Sequence, residues 1–153
     1  MARVIRRHEE SVMVDFYGFC LQDADDMAVP VQWPEGFESV DFVSTRTGRI
    51  DIRSAGHTHT AGLTLEVWDG EPELAGSWDV SGEGEVDYPS GTLRAWAVAG
   101  GPMPYLLEVS EQAGPETWCV RVHATGRAEV ARLASQTVPH GVEQYLVQLW
   151  PKR

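Results

Sequence analysis

Residues 57–68 alternate in polarity with a period of two, and this pattern constrains the fold more than any other in the chain. His57, His59, Ala61, Leu63, Leu65 and Val67 fall in one phase, while Thr58, Thr60, Thr64, Glu66 and Trp68 fall in the other. Side chains of an extended strand point alternately to opposite faces, so the stretch reads as a strand with one apolar and one largely polar face. Asp69-Gly70 closes it as a turn.

The same signal recurs along the chain. Residues 12–21 read as a first strand with Val12, Val14, Phe16 and Cys20 on one face, and Gly18 marking a bulge or a close backbone approach. Residues 22–36, with Pro30 and Pro34, read as a loop that is extended over 29–33. Residues 39–45 and 48–54 form a hairpin through Arg46-Thr47-Gly48, with Ile50 and Ile52 inward and Arg49, Asp51 and Arg53 outward. Residues 77–86 carry Trp78, Val80 and Val86 in phase, and 92–99 and 105–111 follow, the last ended by Gln112-Ala113-Gly114-Pro115. In residues 117–125, Trp118, Val120, Val122 and Ala124 oppose Cys119, Arg121 and His123. The final strand, 143–150, is apolar on both faces and belongs in the middle of a sheet. Only residues 127–134 favour a helix. Eight or nine short strands spaced about ten residues apart, with Gly/Pro turns between them, predict an all-β antiparallel sandwich.

A length of 153 residues suits one domain spanning 1–153, with residues 1–11 as a flexible tail. No apolar run approaches the ~20 residues that span a bilayer. After Arg3, Arg6 and Arg7 there is no room for the apolar core of a secretion signal, which predicts a cytoplasmic protein. Cys20 and Cys119 are far apart and form no metal or redox motif, so they read as small buried hydrophobes.

The net charge of -11 argues against nucleic acid or an acidic membrane as a direct partner. No Lys or Arg lies between Arg53 and Arg94, whereas Glu66, Asp69, Glu71, Glu73, Asp79, Glu83, Glu85 and Asp87 do. Two readings stand: a solvated face that keeps the protein dispersed, or a surface that steers a basic partner protein. On the second, the contact residues are Asp69, Glu71, Glu73, Asp79, Glu83, Glu85 and Asp87. An exposed edge strand could also support a homodimer.

No catalytic signature is present, and no cofactor motif: the chain lacks Gly-x-Ser-x-Gly, a phosphate loop and a dinucleotide fingerprint. His57-Thr58-His59 is the one spacing that could present two imidazoles to a metal on one strand face. It is similar to the H-x-H of cupin sandwiches, but the next acid, Glu66, falls on the opposite face. A metal- or small-ligand-binding sandwich using His57 and His59 is therefore the alternative to protein binding. Of the six tryptophans, Trp78, Trp96 and Trp118 fit core positions, while Trp33 and Trp68 are the exposed candidates that could stack on a sugar.

The order of segments resembles the competence protein J family, the inhibitors of the DNA-entry nuclease. The resemblance runs from about residue 12 to 150 and rests on VDFYGFCLQD, an acidic loop leading to Gly36-Phe37, GRIDIRS, YPSGTLRAW, TWCVRVHATGR and the closing EQYLVQLWP. It implies a small intracellular β-sandwich that is not an enzyme and acts by binding another protein, as a nuclease inhibitor or a toxin-immunity protein. It transfers no functional residue.

Overall fold

A computed structural model of the chain describes residues 1–38, 40–111 and 116–153. Two sheets face each other. The first has the order β1-β5-β11-β10-β6, built from β1 (Val4–Val14), β5 (His59–Trp68), β6 (Val80–Asp87), β10 (Thr117–Thr125) and β11 (His140–Pro151). The second has the order β3-β4-β2-β7-β8, built from β2 (Gly18–Asp23), β3 (Val43–Arg46), β4 (Arg49–Arg53), β7 (Thr92–Ala97) and β8 (Gly101–Pro102), with β9 (Leu107–Glu108) also pairing with β7. Pairing is antiparallel except between β5 and β11, which run parallel. The helix α1 (Arg127–Leu133) sits in the β10–β11 connection. The all-β sandwich read from the sequence is the fold.

Inward phases of both sheets fill the space between them. Val12, Val14, Ala61, Leu63, Leu65, Val67, Val120, Val122, Val147 and Leu149 from the first sheet meet Phe19, Leu21, Ile50, Ile52, Leu93 and Ala95 from the second. At ~25 cal/mol per Å² of apolar surface, this burial is the main stabilising term. β11 is the middle strand of its sheet, as its two apolar faces require.

Several expectations are corrected. The tail is no tail: residues 4–14 form β1, in register with β5 from Val4↔Trp68 to Val14↔His59. Its Arg6, Arg7, Glu9 and Glu10 are the charges with which an edge strand resists pairing with other chains, so polarity there signalled an edge and not disorder. The single strand expected over 12–21 is two strands in different sheets, separated by a tight turn at Asp15–Gly18 with Gly18 N donating to Asp15 O at 3.1 Å. β5 begins at His59 and not at His57. Tyr105 is exposed, and only two residues of the strand expected at 105–111 are extended. Its expected end at 112–115, and Ser39 at the start of another, lie outside the described residues.

Both outer faces are partly covered by loops, which moves residues that alternation alone assigns to solvent. Residues 24–38 fold over the second sheet, starting with a 3-10 turn (Asp26–Ala28) capped by the Asp25 carboxylate, which accepts from Met27 N at 3.0 Å. Trp33 is thereby buried; its indole N–H donates to Ala97 O at 3.1 Å and its backbone N–H to Gln22 Oε1 at 2.9 Å. Beneath it Arg49 and Asp51 form a bidentate pair at 2.6 and 2.7 Å, both fully buried despite lying in the outward phase. Arg49 also donates to Val31 O at 2.7 Å and lies 5.3 Å from the Trp33 ring. Phe37 packs so closely on Gly18 that a Cβ there would sit 2.3 Å from its ring. Trp96 is half-buried on the outward phase of β7, not in the core, and Trp68 is half-buried with its N–H on Glu66.

Candidate partner-binding face

The acidic block occupies β6 and the connection before it. Since β5 is second and β6 last in their sheet, residues 69–79 must cross β11 and β10 to reach the far edge. They do so over the outer face, held down by side chains of β10. Arg121, 3% exposed, donates from Nε to Glu83 at 2.8 Å, from Nη1 to Pro72 O at 3.0 Å and from Nη2 to Glu71 at 3.2 Å. Its guanidinium also lies 5.0 Å from the Trp150 ring. Two residues along, Trp78 stacks on His123 with ring centroids 4.7 Å apart and 13° between planes.

These contacts bury His123 on the outward phase of β10 and overturn the core reading of Trp78. His123 is buried and not solvent-exposed, bonded through Nδ1 to Ser81 Oγ at 2.6 Å. Burial and the neighbouring Arg121 hold its imidazole below the ordinary histidine range, so it is neutral at pH 7. Trp78 lies outside the core, on the outer face, half-buried.

β6 itself is two-faced. Val80, Gly82, Gly84 and Val86 turn inward, and Gly82 and Gly84 sit against Val43 and Thr45 of β3, where a Cβ at Gly84 would meet Thr45 Cγ2 at 2.9 Å. The glycines that weaken the strand pattern are thus what lets the two sheets close at this edge. Ser81, Glu83, Glu85 and Asp87 turn outward, beside His123, Arg121, Cys119 and Thr117 of β10. Glu71, Glu83 and Glu85 remain 67%, 62% and 53% exposed. With Cys119 and Trp150 they line a shallow depression of about 330 Å³. Burial and the nearby Glu85 push the Cys119 thiol up, which keeps it protonated and a poor nucleophile.

The remaining acids are placed less uniformly. Glu85 pairs with Lys152 at 2.9 Å, and Asp87 accepts from the Thr117 hydroxyl at 2.7 Å. Asp69 accepts from Arg3 N at 2.7 Å, and Asp79 from Arg127 N at 3.1 Å. Glu73 stands exposed on the crossing loop without a salt bridge among the described residues. The block is therefore acidic in sum, but Arg121 and Lys152 compensate part of it locally.

The two histidines of the alternative reading lie in different environments. His57 is exposed, its Nδ1 2.7 Å from Thr58 Oγ1, with its ring 5.1 Å from both Phe16 and Tyr17. His59 is 1% exposed and its Nε2 donates to Ser54 Oγ at 2.7 Å. Ser54 in turn donates to Glu143 Oε1 at 2.6 Å, and Glu143 also accepts from Tyr145 OH, from Ala55 N at 3.1 Å and from Arg127 at 3.1 Å. Desolvation lowers the His59 affinity for a proton, so it too is neutral at pH 7. Ser54, His59 and Glu143 supply the residue types of a hydrolase triad, but Glu143 grips the serine directly and all three are buried. The cluster ties β4, β5, β11 and α1 together. Among the described residues no group of three or more His, Cys, Asp or Glu side chains is placed to hold a metal ion.

No protein-family model matches the chain, and no curated protein matches it in sequence. Solved structures do match, and what they show is the fold: a β-sandwich like that of ComJ. The particular neighbours are the crocagin biosynthetic gene J product (TM-score 0.64, 15% identity, covering 97% of this chain and 98% of that one), and ComJ, inhibitor of the DNA-degrading activity of NucA, from Bacillus subtilis (TM-score 0.61, 11% identity, covering 99% of each chain).

The sequence reading missed Arg121 as the anchor of the crossing loop and the Trp78–His123 stack. An arginine in the outward phase opposite an acidic block was the available signal. The Ser54–Glu143 link joins residues 89 positions apart and has no local signature.

Proposed function

We propose that this chain acts by binding another protein, as an inhibitor of a nuclease, and that the outer surface of β6 with the 69–79 crossing meets the basic face of that partner. The reading is carried by one observation: Glu71, Glu83 and Glu85 stay more than half exposed on one face, around one depression. The likeness to ComJ over the full length supports it, since that protein's described role is to inhibit a DNA-degrading enzyme. A nuclease must attract phosphodiesters, so its binding face is rich in Lys and Arg, and an acidic inhibitor competes by the same electrostatics. Asp69, Glu73, Asp79 and Asp87 extend the proposed contact. No observation favours the metal-binding alternative, because His57 and His59 do not share a site.

The test is a nuclease assay. The chain, tagged, is used to capture proteins from a lysate of its source; any nuclease recovered is identified by mass spectrometry and purified. Adding the chain to that enzyme should reduce DNA cleavage in proportion, with full inhibition near one chain per enzyme. Recovery of no nuclease, or undiminished cleavage at excess inhibitor, would sink the proposal.

A further inference from the structure

The turn that carries the chain from β1 to β2 has an unusual composition for its geometry. Phe16 and Tyr17 occupy its two central positions with φ of 50° and 63°, the left-handed backbone of a type I′ turn. Such positions favour Asn and Gly, because a Cβ there crowds the backbone, and bulky residues are strained in them. The strain is not offset by burial, since Phe16 is 55% and Tyr17 43% exposed. Every other positive-φ residue among those described is glycine.

The frame around the turn holds it in this shape. Asp15, itself 7% exposed, accepts from the backbone N–H groups of Val98 at 2.5 Å, Ala99 at 2.9 Å and Gly100 at 2.9 Å. Tyr17 N donates to His57 O at 3.2 Å, and Ser54 N donates to Tyr17 O at 2.8 Å. The rings are set as well: His57 lies 5.1 Å from each, and the Arg53 guanidinium lies 5.9 Å from the Tyr17 ring. Two half-exposed aromatic side chains are thus held at this tip in a backbone conformation that disfavours them.

Backbone strain held by an over-determined frame gathers where a protein makes contact with something else. Pre-set aromatic anchors are also what protein interfaces use, because such rings bury much area while losing little conformational freedom on binding. We propose that the Phe16–Tyr17 turn is a second contact surface, whose rings enter an apolar cleft of a partner protein. His57, exposed beside the rings, fits a cleft rimmed with carboxylate or carbonyl oxygens. The net charge of -11 works against a phosphodiester strand stacking on the same rings. This inference rests on the protein-binding reading above, but not on the acidic face being the contact.

The test is the double variant Phe16→Asn/Tyr17→Gly, which supplies the residues the turn geometry prefers. Its first arm is thermal unfolding of the variant alone. If the aromatics serve contact and not folding, Tm rises, by roughly 2 °C or more. A lowered Tm overturns the proposal, since the rings would then be structural. The second arm is the Kd for the nuclease captured with the parent chain and purified, with Glu73→Lys measured alongside. A Kd weakened about tenfold or more, in a variant of raised Tm, supports the contact. A Kd within about twofold of the parent overturns it, whatever the Glu73→Lys result. Failure of the protein-binding reading shows separately: the parent chain itself would retain no protein, and the contact proposal would fall with it.

Discussion

Glu10 gives the sharpest test of how β1 packs on the sandwich. It lies on β1 opposite Leu63, in the inward phase of Val12 and Val14, and both of its carboxylate oxygens are buried without a hydrogen-bond partner. Desolvation pushes its carboxyl up from the usual 4.5 to about 7. A carboxyl whose folded pKa is raised binds its proton more tightly in the folded state than in the unfolded one. Its contribution to stability is therefore greatest below about pH 4.5, and declines as the pH rises to 7. A fully buried group shifted this far would lose ~3 kcal/mol across that window. The Glu10 side chain is only half-buried, and solvent screening brings the expected loss to about 1–2 kcal/mol. Glu10→Gln removes the charge while keeping the shape. The variant should match the parent near pH 4 and exceed it by about 1–2 kcal/mol at pH 8, or roughly 3–6 °C in Tm. Differential scanning calorimetry of both proteins from pH 4 to 8.5 measures the difference directly, with the other titrating groups cancelling. A difference that does not change with pH, or a variant less stable at pH 8, would refute the burial argument.

Three further outcomes follow from the packing. Gly18→Ala drives a methyl group into the Phe37 ring and should lower stability by about 1–3 kcal/mol in urea unfolding, with Trp33 fluorescence reporting the loosened loop. Asp51→Ala leaves the Arg49 guanidinium buried without its bidentate partner and should cost about 3–5 kcal/mol. The paired change Arg49→Met/Asp51→Leu should cost clearly less, and equal losses from both would show that the charges matter only through packing. Glu143→Ala strips Ser54, Tyr145 and Arg127 of a shared acceptor; a loss of about 3 kcal/mol or more is expected in denaturant melts, with amide exchange accelerated in α1.

Strong alternation makes three strands legible in the amino-acid sequence itself. β10 spans the residues the period of two marks, β5 starts two residues later and β11 runs a little longer than expected, and the doubly apolar β11 lies centrally because both its faces are covered. What alternation does not report is whether a loop covers an outward face. Trp33, Arg49, Asp51, Arg121 and His123 all lie in loops or outward phases, and all are buried because residues 24–38 and 69–79 fold back over the sheets. Such covering depends on contacts between residues distant in sequence, for example Arg121 and Glu71, 50 positions apart. The Phe16–Tyr17 turn was hidden for the opposite reason, since aromatic residues favour strands and here occupy a turn. His57 and His59 have different surroundings because β5 starts only at His59, which leaves His57 outside the alternation that would align the two rings.

If the acidic outer face of β6 and the crossing loop meet a basic nuclease, as proposed, that face should steer the partner as well as hold it. The most direct measurement is the association rate with the captured nuclease as a function of ionic strength, for the parent and for Glu73→Lys/Glu85→Lys. These two positions leave the Arg121 contacts with Glu71 and Glu83 intact, so the loop stays in place. The parent rate should fall steeply with added salt, while the variant should associate about tenfold more slowly at low salt and depend on salt more weakly. Equal rates and equal salt dependence for the two proteins would contradict the claim.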